Sequence, residues 1–205
     1  MPVSPVTYPV METFSTLQGE GAHTGLPSYF LRLAGCDVAC AWCDVKESWN
    51  VDGFPRQTVA EIVTDALASN LSTVVLTGGE PCMYDLQPLT DGLHAAGLVV
   101  HIETSGSSPI TGDYEWVTLS PKKFKSCLDS SFPLADELKV VVLNKHDLEW
   151  AQQQASKVKA SCELYLQPEW SKKERVQEMM MDFFQSNSGR RWKMSIQTHK
   201  YLGIR

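Results

Sequence analysis

Short apolar runs alternate with stretches of helical spacing along most of this chain. Residues 28–33 (Ser-Tyr-Phe-Leu-Arg-Leu) read as a strand, and side-chain alternation puts Arg32 on the face opposite Leu31 and Leu33. Thr58-Val-Ala-Glu61 is a capping-box pattern. Val59, Ile62, Val63, Ala66 and Leu67 then recur at the spacing of one apolar helix face. Residues 72–76 form a β-rich run ending at Thr77-Gly-Gly-Glu-Pro81. Leu86, Leu89 and Leu93 mark the next helix, and residues 98–103 the next strand. Further strands are predicted near residues 116–119, 138–143, 164–167 and 192–196, with helices near 148–158 and 176–184 between them. On the last helix Val176, Met179, Met180, Phe183 and Phe184 share a face, which reads as core rather than as a cofactor box.

Strand and helix alternating at this spacing imply βα units around a parallel sheet. Such sheets bind ligands at the C-terminal ends of their strands. Several polar clusters fall there: the cysteine loop after residue 33, Thr77-Gly-Gly-Glu-Pro81, Glu103-Thr-Ser-Gly106, Ser120-Pro-Lys122, Lys139, and residues 197–200. All are expected to face one mouth. The chain is short for a closed eight-unit barrel, so the expected fold is α/β, a reduced and partly open (β/α) barrel forming a single domain over residues 1–205.

Composition adds exclusions. With 205 residues, 43% of them hydrophobic and 20% charged, the chain can bury a sizeable core. There is no internal repeat and no linker long enough to divide domains. The apolar runs fall far short of a membrane span, and the opening Met-Pro-Val-Ser-Pro-Val-Thr-Tyr-Pro lacks the pattern of a secretory signal. The expected location is the cytoplasm, with no membrane partner. A net charge of −6 and a pI near 5.4 argue against nucleic acid as a partner, because nonspecific binding needs a basic surface. Three of the six cysteines crowd into eight residues, which suits reduced thiols better than a disulfide framework.

Those three, Cys36, Cys40 and Cys43, make a C-x3-C-x2-C loop. The spacing lets three thiolates converge on one inorganic centre. Three is one ligand fewer than closes a structural zinc site or saturates a cubane iron–sulfur cluster. A cluster held this way keeps one iron open to an outside ligand. Zinc completed by Cys82, Cys127, Cys162 or a histidine is an alternative, as are ordinary buried thiols.

The triplet, the Gly-Gly-Glu-Pro turn after a short strand, and the βα alternation together resemble the radical S-adenosylmethionine (SAM) superfamily. The resemblance implies a [4Fe–4S] cluster on Cys36, Cys40 and Cys43 whose open iron chelates SAM. A 5′-deoxyadenosyl radical then abstracts a substrate hydrogen. It also implies that Gly78 and Gly79 let the backbone approach the SAM amino group. More specific blocks are Thr16-Leu-Gln-Gly-Glu-Gly21, Pro27-Ser-Tyr-Phe-Leu-Arg-Leu-Ala-Gly-Cys36, Trp42-Cys-Asp44, Ile102-Glu-Thr-Ser-Gly106, Ser120-Pro-Lys122 and the ending Gln197-Thr-His-Lys-Tyr-Leu-Gly-Ile-Arg205. These look like the 7-carboxy-7-deazaguanine synthases, nearly end to end. That family converts 6-carboxy-5,6,7,8-tetrahydropterin to 7-carboxy-7-deazaguanine with loss of ammonia, regenerating SAM, on the way to queuosine and related bases.

Carried over residue by residue, the resemblance assigns SAM contacts to Trp42, Cys43, Asp44, Gly79, Glu103, Ser120, Pro121 and Lys122. It assigns substrate contacts to Leu17, Gln18, Gly19, Arg32, Thr77 and Arg205. Arg32 would clasp the pterin carboxylate with its planar fork, and Leu17 to Gly19 would meet the pterin edge. The tail from Gln197 to Arg205 would fold over the pocket, with His199 a weaker candidate. Cys82, Cys127 and Cys162 match no family role and read as structural. No protein side chain is assigned as acid or base. An electron donor such as flavodoxin or ferredoxin and a homodimer are also implied. One position departs from the family: many relatives carry Thr or Ser after Cys-Asp, where the hydroxyl helps bind Mg2+, and this chain has Val45. Magnesium accepts almost only oxygen ligands, so its use here is in question. The rival readings are another radical SAM enzyme, such as a glycyl-radical activating enzyme, and a non-enzymatic zinc or iron–sulfur protein.

Overall fold

A computed structural model describes residues 5–187 and 191–205. Met1 to Ser4, the start of the stretch read above for a secretory signal, lie outside the described residues. The strands are β1 (Thr7–Leu17), β2 (Pro27–Leu33), β3 (Arg56–Thr58), β4 (Thr73–Gly78), β5 (Val99–Thr104), β6 (Trp116–Leu119), β7 (Glu137–Val142), β8 (Glu163–Pro168) and β9 (Trp192–Met194). The helices are α1 (Val59–Ala68), α2 (Gln87–Ala95), α3 (Lys145–Ala155), α4 (Lys173–Ser186) and the short α5 (Thr198–Leu202). One sheet runs in the order β3-β1-β2-β4-β5-β6-β7-β8-β9. From β2 through β9 every neighbour is parallel, whereas β1 is antiparallel to both β2 and β3. The sheet does not close on itself, and the architecture is the expected partly open barrel.

The outer face of the sheet is apolar and carries the helices. One core cluster joins Leu31, Leu33, Val74, Leu76, Val100 and Ile102 of the sheet to Ile62, Ala66, Leu89 and Leu93 of α1 and α2. A second joins Leu138, Val140, Leu164 and Leu166 to Leu148, Ala151, Val176 and Met180 of α3 and α4. Met179, Phe183 and Phe184 pack against that second cluster, so the Met/Phe stripe is core as read. Leu67 is a correction: it is 49% exposed, because the face of α1 that meets α2 and the sheet ends at Ile62 and Ala66.

β1 is a strand the sequence pattern does not announce. Its register against β2 shifts between Val10 and Glu12, the mark of a β-bulge. Before the bulge Tyr8 and Val10 turn outward into the first core, with Val10 opposite Leu33. After it Glu12, Phe14 and Thr16 turn inward, with Glu12 opposite Arg32. A bulge that exchanges faces breaks the alternation by which a strand is read. The inner face of the barrel carries polar residues beside the Phe14 and Phe30 rings, and the site lies there.

Candidate active site

A cavity of about 760 Å³ opens at the C-terminal ends of the parallel strands. It gathers the cysteine loop, the β4 turn, the ends of β5 and β6, Lys139 and the C-terminal tail on one wall system. Of the residues assigned from sequence, only Pro121 lies outside the lining; it is buried behind Ser120 and Lys122.

The cysteine loop leaves β2 at Leu33. The Gly35 N–H donates to Ser48 O (2.7 Å) and Cys36 N–H to Trp49 O (3.2 Å), so the returning 3-10 turn Lys46–Trp49 closes the loop. Cys36, Cys40 and Cys43 are free thiols on the cavity wall. Burial pushes Cys40 up to about 11 against the pull of nearby Lys122. Among the described residues no three His, Cys, Asp or Glu side chains gather closely enough to chelate a single ion. Cys82 sits in the first core, Cys162 in the second, and Cys127 packs against the second, so none supplies a fourth zinc ligand to the triplet. The donor set itself, three sulfurs from one loop and no fourth, fits a cluster with one open iron.

The turn after β4 is welded to this loop. Gly79 N–H donates to Leu33 O (3.0 Å) and Glu80 N–H to Gly35 O (2.8 Å). A Cβ on Gly79 would collide with Gly35 O and stand 2.6 Å from Cys36 Cβ, and one on Gly78 would collide with Leu33 O. These glycines are thus required by the close approach of two backbones, in addition to any ligand. Glu80, buried, accepts from Thr104 Oγ1 (2.5 Å), Ser105 N–H (2.8 Å), Ser105 Oγ (2.5 Å) and Cys82 N–H (3.0 Å), tying the β4 turn to the end of β5. Sequence reasoning gave Glu80 no role; its position in a turn said nothing of partners 24 and 25 residues away.

Arg32 Nε, on β2, donates to Glu12 Oε1 (2.8 Å), and the other oxygen of Glu12 pairs with Arg205. Phe14 and Phe30 stack at 5.3 Å beneath them, and the Arg32 and Arg205 guanidinium carbons lie 6.0 Å and 4.8 Å from the Phe14 ring centre. Two planar cations therefore sit on an apolar shelf, sharing one carboxylate.

The segment 18–23 is a strap leading out of β1. Gln18 Nε2 donates to Glu103 Oε1 (2.9 Å), and Lys139 Nζ donates to Glu20 Oε2 (2.5 Å) while lying 3.9 Å from Glu103. Gln197 Nε2 donates to the other oxygen of Glu20 (2.8 Å). Burial alone would lower the Lys139 pKa, but Glu103, Glu20 and Glu137 around it hold it well above the usual lysine range. Burial would likewise raise Glu20, and the Lys139 ammonium instead holds it below the usual carboxylate range. Lys139 is therefore a fixed cation. Glu103 lines the cavity and also joins this cluster.

The tail returns over the strap. Thr198 N–H donates to Gly19 O (2.9 Å), and a Cβ on Gly19 would collide with the His199 ring. Lys200 Nζ reaches Asp44 Oδ2 beside Cys43 (2.8 Å) and lies 5.2 Å from the Trp170 ring centre, linking tail, cysteine loop and β8 loop. Opposite, Lys122 Nζ donates to Ser120 Oγ (2.5 Å) and stands 5.7 Å from the Trp42 ring centre. Val45 lines the cavity without an oxygen. The nearby Ser48 hydroxyl is spent on Val45 O (2.6 Å) and Asp44 is paired with Lys200.

Residues 17–164 match the family described as a 4Fe-4S single cluster domain. With the open parallel barrel and the three-thiol loop at its mouth, this places the chain in the radical SAM class of iron–sulfur enzymes. A 7-carboxy-7-deazaguanine synthase of Synechocystis sp. is 49% identical over 200 residues, covering 98% of this chain and 95% of the relative. The enzyme of that name from Flavobacterium psychrophilum is 48% identical, covering 96% and 92%. The crystal structure of QueE from Escherichia coli superposes with a TM-score of 0.84 at 32% identity, covering 94% of this chain and 95% of that one. The chain belongs to the 7-carboxy-7-deazaguanine synthase family.

Proposed function

We propose that this protein converts 6-carboxy-5,6,7,8-tetrahydropterin to 7-carboxy-7-deazaguanine with loss of ammonia, acting as one radical SAM domain over its 205 residues. The observation that carries the reading is that the three-thiol loop and the Arg32–Glu12–Arg205 group line one cavity. Cys36, Cys40 and Cys43 would hold the [4Fe–4S] cluster, with SAM against Trp42, Asp44, Gly79, Ser120 and Lys122. Cluster and SAM, when bound, supply the reducing electron and the hydrogen-abstracting radical.

The remaining work falls to the chain's own groups. Arg32, with Arg205, binds the pterin carboxylate, and Phe14 and Phe30 offer the ring a flat apolar floor. Leu17, Gln18, Gly19 and Thr77 orient the pterin, and the paired Glu103 and Glu20 present acceptors fixed in place by Lys139. The tail from Thr198 onward covers the strap and would keep water from the pocket. An oxygen cage for Mg2+ does not fit the residues around Val45, where Asp44 is paired with Lys200 and the Ser48 hydroxyl is bonded to Val45 O. An electron donor such as flavodoxin or ferredoxin would deliver the electron, in the cytoplasm and to a homodimer.

The test is an anaerobic turnover assay with reconstituted protein, SAM, reductant and the carboxytetrahydropterin, read by mass spectrometry. The deazaguanine acid should form without net loss of SAM. Cleavage of SAM with no deazaguanine product would reject the substrate and leave only the radical SAM class.

A further inference from the structure

The strap is anchored from beneath, on the side away from the cavity, by a residue that neither lines the cavity nor figures in any motif. Glu137, the first residue of β7, is 2% exposed. Its Oε2 accepts the Ala22 N–H at 2.9 Å, from a residue 115 positions earlier in the chain. Gly21 holds φ +63°, and the space its side chain would fill is occupied by the Glu137 carboxylate, whose Cδ and Oε2 both stand 2.6 Å from an ideal Cβ. The same Gly21 donates its N–H to Ser195 Oγ (2.9 Å), and Ser195 in turn donates to Gln167 Oε1 (2.8 Å). Two residues on from Gly21, His23 packs edge-on against Trp116 at 4.5 Å and against His101 at 4.6 Å.

The left-handed turn at Gly21 is thus pinned from two sides, by β7 through Glu137 and by the segment after β9 through Ser195. Immediately above it Glu20 N–H donates to Gln18 Oε1 (3.1 Å), which leaves the Gln18 amide N–H free to reach Glu103. Displacing the turn moves Gln18, Gly19 and Glu20 together. A buried carboxylate in an inner polar layer is costly to place, and an apolar residue would fill this position at lower cost unless the acceptor were needed.

We propose that Glu137 is a positioning residue for substrate recognition: through Ala22 and Gly21 it sets the height and rotation of the Gln18–Glu20 segment against the pterin edge. This rests on the pterin reading above. In one strand Lys139 fixes the charges of the pocket, while Glu137, two positions earlier, fixes the backbone that carries them and also helps to keep Lys139 charged.

The experiment compares wild type, Glu137→Gln, Glu137→Leu and Ser195→Ala as reconstituted holoenzymes. Pterin affinity is measured by equilibrium dialysis, alongside KM and kcat, SAM cleavage without pterin, and the thermal midpoint. Glu137→Leu keeps the bulk and loses the acceptor, and should raise the pterin dissociation constant and KM about tenfold, the scale of one lost buried hydrogen bond. SAM cleavage without pterin should stay within about twofold of wild type. Glu137→Gln retains an acceptor and should recover most of the affinity. Ser195→Ala, which releases the turn's other anchor, should show the same signature more weakly. Unchanged pterin affinity in both Glu137→Leu and Ser195→Ala overturns the proposal, as does an equal loss of pterin binding and SAM cleavage in Glu137→Leu and Ser195→Ala. A wild type that binds SAM but not the pterin rejects the pterin reading itself, a result visible before any variant is compared.

Discussion

Arg32 shows how far one residue can be read from its neighbours. Strand parity set it opposite Leu31 and Leu33, and it does face the cavity while they are buried. What parity could not supply is Glu12, which holds the fork in place from a strand 20 residues earlier. Arg32→Lys keeps the charge and loses the planar fork, so pterin binding should weaken by about 1–3 kcal/mol. An unchanged dissociation constant would remove Arg32 from the carboxylate site. Cys40→Ala leaves two thiols, too few to hold a cubane. It should abolish SAM cleavage with the fold retained, checked by iron and sulfide content and by circular dichroism. Val45 has a definite consequence too. With Asp44 paired to Lys200 and Ser48 bonded to Val45 O, magnesium finds few oxygens. The initial rate after chelation should depend weakly on magnesium in wild type and more strongly in Val45→Thr; strong activation of both forms to the same degree counts against this.

Elements with local signals were legible, and those defined by long-range pairing were not. Thr58 and Glu61 make the reciprocal capping box that the four-residue pattern announced. Its bonds are exposed, so Thr58→Ala should cost only about 1 kcal/mol of stability, read as a shift in denaturant midpoint with activity unchanged. The helix near residues 148–158 instead begins at Lys145, because Asn144 and Asp147 form a second capping box ahead of the first apolar residue. β1 and β3 escaped notice for a different reason. The bulge at Val10/Glu12 switches which face the side chains of β1 occupy, and the three residues of β3 are too few to show any period. The candidate site divides the same way. The cysteine loop and the β4 turn are contiguous motifs, legible as they stand. Glu80, Glu12 and the bond from Lys139 to Glu20 join segments 20 to 119 residues apart, and only folding brings them together.

The whole molecule places its polar residues on the inside of a sheet, which ties its stability to pH in an unusual way. At the end of the barrel opposite the mouth, the His23 and His101 rings lie 4.6 Å apart, tilted at 47°, with Trp116 beside them. Burial, and then the neighbouring His23, bring His101 down to about 4; burial also lowers His23. Glu115 and Asp136 pull His101 the other way, too weakly to prevail. Because the folded pKa lies below the unfolded value near 6.5, the unfolded chain binds more protons in between. The stability associated with the two histidines is therefore whole above about pH 6.5 and is lost as pH falls toward about 4. Glu20, held low by Lys139, adds a loss only below the ordinary carboxylate range. Glu137, held high by burial, acts in the opposite sense: it favours the folded state as pH falls toward its unfolded value. Burial lowers His199 of the tail in the same sense, and three histidines against one carboxyl group leave a net destabilisation between pH 7 and pH 5. The thermal midpoint should drop across that interval in wild type, and the drop should be clearly smaller in His101→Phe, which keeps a ring of similar size without a titrating nitrogen. An equal drop in both proteins would place the acid sensitivity elsewhere than in this histidine pair.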